Sequence, residues 1–315
     1  MKLWQTSMIR LARSERITGF VQRRRRLSSL AARFVGGHDG ASAVATAHGL
    51  RAEGITASLY YLGEYVRDPA IIASTIGTLS GSAAALGAEG LDTHVSIDPT
   101  QVGLMVSEER CAAHLGQLAA AVTASRPGHD ALMLDMEDAG TTEATLRLHD
   151  QLRAAGRPTA ITLQAYLHRT AADLDRLASV GAWVRLVKGA FAEPAAIAAR
   201  RSVDIDERYR RGAEALLAPS SRAAGCYPSF ATHDERLIDD ITAMAARQGC
   251  SSDAFEFELL HGVRPELQRR LVARGFRVRV YVPFGVDWFP YTIRRVGESA
   301  RNVRFAARAV AGRSG

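Results

Sequence analysis

Residues 277–302 read RVRVYVPFGVDWFPYTIRRVGESARN. The alternation over Val278–Val282 predicts a β-strand, and Pro283 and Gly285 punctuate its end. Pro290 stands where a first helical turn accepts a proline. Tyr291, Arg294, Arg295 and Glu298 follow at offsets 0, 3, 4 and 7, so a helix there places all four on one face. Two adjacent guanidinium groups with a carboxylate one turn on suit the binding of a small anion. A solvated helix with ordinary charge pairs has the same spacing, and the rest of the chain has to decide between them.

Upstream, short apolar or alternating runs recur at 55–60, 93–97, 131–135, 159–164, 183–187, 227–231 and 254–258, which with 278–282 makes eight. Alanine-, leucine- and arginine-rich segments at helical spacing lie between them, as at 141–155, 170–180, 206–218, 234–248 and 264–274. Strand, helix, strand repeated in this way is the βαβ pattern. Eight units predict a (β/α)8 barrel of TIM type over 54–315, with residues 1–53 as an N-terminal helical extension that includes an alanine-rich helix at 41–53. A doubly wound open sheet is the alternative. No GxGxxG follows its first strand, and Gly77, Gly81, Gly87 and Gly90 have the wrong spacing.

Composition excludes several classes. A hydrophobic fraction of 47% and a charged fraction of 23% are those of a soluble globular chain. The net charge is +7, yet of 40 Lys plus Arg only Lys2 and Lys188 are lysine, so much of the arginine reflects bias and Lys188 stands out. Cys111, Cys226 and Cys250 lack CxxC spacing, which fits a reducing compartment and no disulfide framework. No run of 18 apolar residues is expected to span a membrane, and no secretory signal is read; the expected location is the cytoplasm. Arg23–Arg26 reads as a solvated face, with peripheral contact at a membrane surface left open and no nucleic-acid module beside it.

A barrel demands that chemistry sit at the C-terminal ends of its strands. Asp135, Glu137 and Asp138 end the third strand and Gln164 the fourth; Arg185 lies on the fifth, which leads into Lys188-Gly189. Thr232, His233 and Asp234 end the sixth, Glu256 and Glu258 the seventh, and Tyr281 the eighth. No metal is expected: of the histidines only His233 and His94 are placed to reach that rim.

The segments LQAYL (163–167), VRLVKGA (184–190), FATHD (230–234), FEFELLHG (255–262), YVPFG (281–285) and YTIRRVGE (291–298), with YLGE (61–64) and the Asp206/Tyr209 pair, resemble the proline dehydrogenase family over about residues 40–305. The resemblance implies a distorted (β/α)8 barrel that binds FAD and oxidises L-proline to 1-pyrroline-5-carboxylate, passing electrons to a quinone or another acceptor. It implies that Arg294 and Arg295 clamp the substrate carboxylate, with Glu298 as their acidic neighbour, Tyr281 and Tyr291 around the ring, and Asp135 paired with an arginine of the clamp. It further implies Arg185 beside the reactive flavin nitrogen and Gln164 on the isoalloxazine edge. Lys188, Gly189, Ala190 and Phe191 fall along the ribityl and pyrophosphate region, and Thr232 and His233 near the phosphates and adenosine. Glu258 takes the place of the family's glutamine on strand seven.

Four further positions depart from the family pattern. Asp98 stands where the family carries a lysine, Tyr60 where it often has an aspartate, Asp234 where it has an asparagine, and KGAFAEP loses an aromatic residue of the cofactor segment. These departures keep open a flavin-dependent dehydrogenase or oxidase acting on a modified cyclic or N-substituted amino acid. A Schiff-base aldolase using Lys188 and a barrel without catalysis are further alternatives, and the oligomeric state, monomer or homo-oligomer, stays open.

Overall fold

Alternation along each strand separates two environments. Val184 and Leu186 of the fifth strand, Val278, Val280 and Val282 of the eighth, and Phe257 and Leu259 of the seventh all join one large apolar cluster. Their neighbours Arg185, Arg279, Glu256 and Glu258 are equally buried but polar. Successive side chains on a strand face opposite ways, so one face meets a covering layer of helices and the other an interior.

In the computed structural model, which describes residues 33–123 and 129–292, that interior is the inside of a closed barrel. The chain runs α1 (Gly40–Ala52), β1 (Thr56–Tyr61), α2 (Pro69–Ala88), β2 (His94–Ile97), α3 (Glu108–Thr123), β3 (Ala131–Leu134), α4 (Thr142–Ala154), β4 (Thr159–Gln164), α5 (Thr170–Ser179) and β5 (Trp183–Val187). It continues through α6 (Ser202–Leu217), α7 (Pro219–Ala223), β6 (Tyr227–Ala231), α8 (Glu235–Arg247), β7 (Glu256–Leu260), α9 (Pro265–Ala273) and β8 (Arg277–Phe284). The strands are parallel and neighbour one another in chain order. Closure comes from β8 pairing with β1, from Thr56 against Arg279 to Tyr61 against Phe284. The (β/α)8 reading and its N-terminal helical extension therefore hold. Extension and barrel share one core, since Ala43, Val44 and Ala47 of α1 belong to the outer apolar cluster. The Gly36 amide also donates to the Pro283 carbonyl at 2.7 Å.

Two expectations need correction. Strand seven was expected at 254–258 and runs Glu256–Leu260; a turn closed by the Ala254 amide on the Ser251 carbonyl delays its start. Glu256 therefore opens the strand and Glu258 sits at its middle, both inside the barrel rather than at its end. Helix α2 also carries no charge over its 20 residues and has the length and composition to cross a membrane. Ser, Thr and Gly interrupt its apolar run, and Ile72, Ile76, Leu79, Ala83 and Leu86 are buried in the outer core, so it serves as a covering helix of the barrel.

The interior holds two buried ionic layers. In the lower one Arg279 donates to Glu256 at 2.9 Å, to Asp92 at 3.2 Å and to the Ala57 carbonyl at 3.0 Å, and its guanidinium lies 5.5 Å from the Trp183 ring. Glu256 also accepts from Ser229, which in turn accepts from the Trp183 indole. The second layer, nearer the strand ends, is the candidate site.

Candidate active site

Arg185 is the hub. It projects inward from β5 with 3% of its side chain exposed, and its Nε and Nη2 donate to the two oxygens of Glu258, each at 2.6 Å. Its Nη1 donates to Asp135 Oδ1 at 2.6 Å and its Nη2 to Ser96 Oγ at 3.1 Å. Burial works against the charged guanidinium, but Glu258 and Asp135 outweigh it and keep the group cationic. Burial pushes the Glu258 carboxyl up, and Arg185 opposes the push. A bidentate pair of this kind contributes little net stability after both ions are desolvated, yet it fixes orientation firmly.

Asp135, just past β3, is held at both oxygens. Oδ1 accepts from Arg185 and from Thr162 Oγ1 at 2.8 Å, and Oδ2 accepts from the Tyr281 hydroxyl at 2.9 Å. The Tyr281 ring stacks on Tyr60 with centroids 5.2 Å apart and lies 5.3 Å from the Arg185 guanidinium. Burial and the nearby Asp135 carboxylate push the Tyr281 hydroxyl well up, so it acts as a donor.

Beyond the tyrosines lies an acidic arm. Tyr60 Oη is 2.7 Å from Asp98 Oδ2. Asp98 leads into a 3-10 turn, Pro99–Gln101, that Glu137 anchors by accepting from the Thr100 amide at 3.0 Å and from Thr100 Oγ1 at 2.5 Å. Burial lifts the Glu137 carboxyl to about 7 against these bonds, with Glu64 and Asp138 adding to the rise. Thr100 Oγ1 also accepts from the Tyr65 amide, and Tyr65 donates its hydroxyl to Asp138 at 2.7 Å. Tyr65 has φ +55°, a left-handed conformation that a tyrosine keeps only when contacts at both ends hold it. Tyr65 and Thr100 carried no expected role, because nothing in the spacing links Tyr65 to partners 35 and 73 residues away.

On the opposite side, Gln164 donates to the Glu137 carbonyl at 2.8 Å and accepts from the Ala190 amide at 3.4 Å. Lys188 ends in two ion pairs, with Asp206 of α6 at 2.6 Å and with Asp234, the cap of α8, at 3.0 Å. Gly189 has φ +114°, and a Cβ there meets the Tyr166 ring at 2.2 Å. Thr232 Oγ1 accepts from the Asp234 amide. His233 Nε2 accepts from the Leu260 amide, and the His233 carbonyl accepts from Arg264. Phe191 follows, half-buried.

The structure thus brings Asp98, Asp135, Gln164, Arg185, Glu258 and Tyr281 to one interior and its mouth, and sets Lys188, Gly189, Ala190, Thr232 and His233 along the ends of β5 and β6. Tyr291 is buried in the turn of helix at 288–292, with Pro290 in its first turn. Arg294, Arg295 and Glu298 lie outside the described residues. His94 does not reach the rim: it opens β2, is fully buried, and contacts Ser58 Oγ through Nδ1 at 2.9 Å. Burial and the cations Arg279 and Arg185 hold its pKa well below the usual range. Among the described residues no three His, Cys, Asp or Glu side chains are grouped to hold a metal. A cleft of about 390 Å³ opens elsewhere, between α2 and α3, lined by Ile72, Ile76, Val106, Arg110 and His114; none of the mouth residues borders it.

A parallel (β/α)8 barrel with an arginine, carboxylates and tyrosines converging at its strand ends has the architecture of a barrel enzyme. The sequence profile of proline dehydrogenase matches residues 43–308, and the chain belongs to the proline dehydrogenase family. It is 35% identical over 284 residues to the proline dehydrogenase of Deinococcus radiodurans, covering 90% of each chain. It is 33% identical over 280 residues to proline dehydrogenase 1 of Bacillus subtilis, covering 89% of this chain and 90% of that one. Among solved structures it is similar to proline utilization A from Bdellovibrio bacteriovorus inactivated by N-propargylglycine, with TM-score 0.79 and 20% identity over 91% of this chain. Proline utilization A from Corynebacterium freiburgense gives TM-score 0.74 and 21% identity over 97% of this chain. The chain spans 34% of each of these two longer proteins, and the likeness to them is one of fold.

Proposed function

We propose that the chain binds FAD along the ends of β4, β5 and β6 and oxidises L-proline to 1-pyrroline-5-carboxylate. One observation carries this reading: the family match runs through all eight strands and on through Arg294 and Arg295. Gly189 shapes the strip past β5, because its missing Cβ and left-handed backbone let the Tyr166 ring close against the main chain. Lys188, Ala190, Phe191, Thr232 and His233 flank that strip, with Gln164 and the Arg185–Glu258 pair on its barrel side. FAD supplies, when bound, the acceptor for a hydride equivalent from the carbon next to the substrate nitrogen.

The protein's own part is positioning and desolvation. Arg294 and Arg295 hold the carboxylate as planar forks. Tyr60, Tyr281 and Tyr291 wall the ring from water. Asp135 fixes both Tyr281 and Arg185, so the wall and the charge beside the cofactor share one anchor. Electrons leave to a quinone or another acceptor, and the basic arm carrying Arg23–Arg26 supplies a peripheral contact with an anionic membrane surface.

A second reading, oxidation of a modified cyclic or N-substituted amino acid, is favoured by Tyr60 and Asp98, which bond each other where the family pattern has other residues. The aldolase reading loses ground, since Lys188 is held between two carboxylates rather than offered as a nucleophile.

The test is a visible spectrum of the purified protein before and after anaerobic L-proline. Flavin bands that bleach are expected. Bands that persist with L-proline and bleach with an N-substituted analogue move the substrate, and a colourless protein that FAD does not reconstitute overturns the oxidation.

A further inference from the structure

Tyr60 Oη lies 2.9 Å from the Gly63 carbonyl oxygen and 2.7 Å from Asp98 Oδ2. A phenol has one proton to give, and a peptide carbonyl only accepts. Sharing that one proton between two acceptors weakens both contacts; each is a full hydrogen bond when Asp98 carries a proton, so that Tyr60 donates to Gly63 and accepts from Asp98. The surroundings favour the same state: burial, then Glu137 and Asp135, push the Asp98 carboxyl well up. Its neighbours are Tyr60 of β1, Glu64 in the loop after β1, Asp135 and Glu137 after β3, and Tyr281 of β8, with Arg185 of β5 already engaged by Glu258 of β7.

Asp135, Glu258, Glu137 and Asp138 are each bonded at both carboxyl oxygens. Asp135 is bonded at both oxygens, by Arg185 and Thr162 and by Tyr281. Both oxygens of Glu258 take Arg185, and both of Glu137 take Thr100. Both oxygens of Asp138 take Tyr65 and the Gly140 amide. Asp98 differs: its Oδ1 has no hydrogen-bond partner among the described residues.

We propose that Asp98 Oδ1 is the proton acceptor for the ammonium nitrogen of the substrate, an inference that rests on the amino-acid oxidation proposed above. A cyclic amine arrives protonated, and the nitrogen must hold a free electron pair before the neighbouring carbon is oxidised. In water a carboxylate is a poor base for an ammonium, since their pKa values lie about six units apart. Burial narrows the gap from both sides, because it disfavours carboxylate and ammonium alike and spares the neutral acid and amine. The step balances as follows. As the cation enters, Asp98 releases its resting proton to solvent. An N–H bond of the substrate then breaks with its electron pair left on nitrogen, and an O–H bond forms at Asp98. One proton therefore leaves the complex for each substrate bound.

Calorimetry of the anaerobically reduced holoenzyme, which binds L-proline without turning it over, reads that proton directly. Near neutral pH, binding heats in two buffers of different ionisation enthalpy should give about one proton released per L-proline, by the charge balance above. Cyclopentanecarboxylate, which lacks the nitrogen, should release none. Asp98→Asn keeps a donor for Tyr60 and so keeps the local fold; in this variant proton release should fall to near zero and L-proline affinity by about tenfold or more, with cyclopentanecarboxylate affinity unchanged. Equal release in wild type and Asp98→Asn, or no release in wild type, overturns the assignment of Asp98 while leaving proline oxidation standing. A wild-type holoenzyme that binds no L-proline overturns both.

Discussion

Glu137→Gln is expected to stabilise the protein at alkaline pH and to leave it nearly unchanged in acid. Glu137 has its carboxyl raised from 4.5 to about 7 by burial. A carboxyl raised by folding keeps a proton that the unfolded chain has already lost, so its contribution to stability falls as pH climbs from 4.5 through about 7. At full ionisation the displacement corresponds to about 3 kcal/mol against the fold. Glutamine copies the protonated form: its carbonyl accepts from the Thr100 amide and its amide nitrogen donates to Thr100 Oγ1. Urea unfolding of the two proteins at about pH 5 and pH 8.5 should show a gap that widens by roughly 2–3 kcal/mol in favour of the variant. A gap that stays constant, or a variant less stable at both pH values, refutes the claim that Glu137 is forced to ionise in a hostile site.

Other substitutions probe other parts of the barrel. Gly189→Ala puts a Cβ into the Tyr166 ring at a left-handed residue, so a loss of about 1–3 kcal/mol is expected along with weaker flavin retention, read from visible absorbance. Arg279→Met strands Glu256 in the lower layer and should cost about 3–5 kcal/mol in urea unfolding, most of it recovered in Arg279→Met/Glu256→Leu; an additive double variant counts against the pair. Glu258→Gln removes one of the two carboxylates on Arg185 and should raise the reduction potential of the bound flavin, with an unchanged potential showing that this charge does not reach the cofactor.

The barrel was legible because short apolar or alternating runs recur between helical segments, so that Arg185 and Tyr281 could be assigned to strands five and eight before any fold was known. What alternation hides is the partner. Lys188 stood out as one of two lysines, and the family resemblance implied a place for it along the cofactor's pyrophosphate. Its ion-pair partners Asp206 and Asp234 come from two other helical segments, and no local pattern pointed to them. His94 shows the same limit, since the side chain is buried low in the barrel beside Ser58 rather than at the rim. Strand seven slipped by two residues because a turn and a strand end look alike in a short run of Phe and Glu, and the slip moved both glutamates into the interior.

By itself the sequence determined the fold class and the order of the eight strands. Those follow from local periodicity and from glycine and proline breaks, which act over a few residues. Tertiary structure alone decided the state of charge: Arg185 meets Glu258 from 73 positions away and Asp135 from 50, and Tyr60 meets Asp98 from 38. Coulomb energies and desolvation depend on distance in space and on burial, and chain separation carries neither.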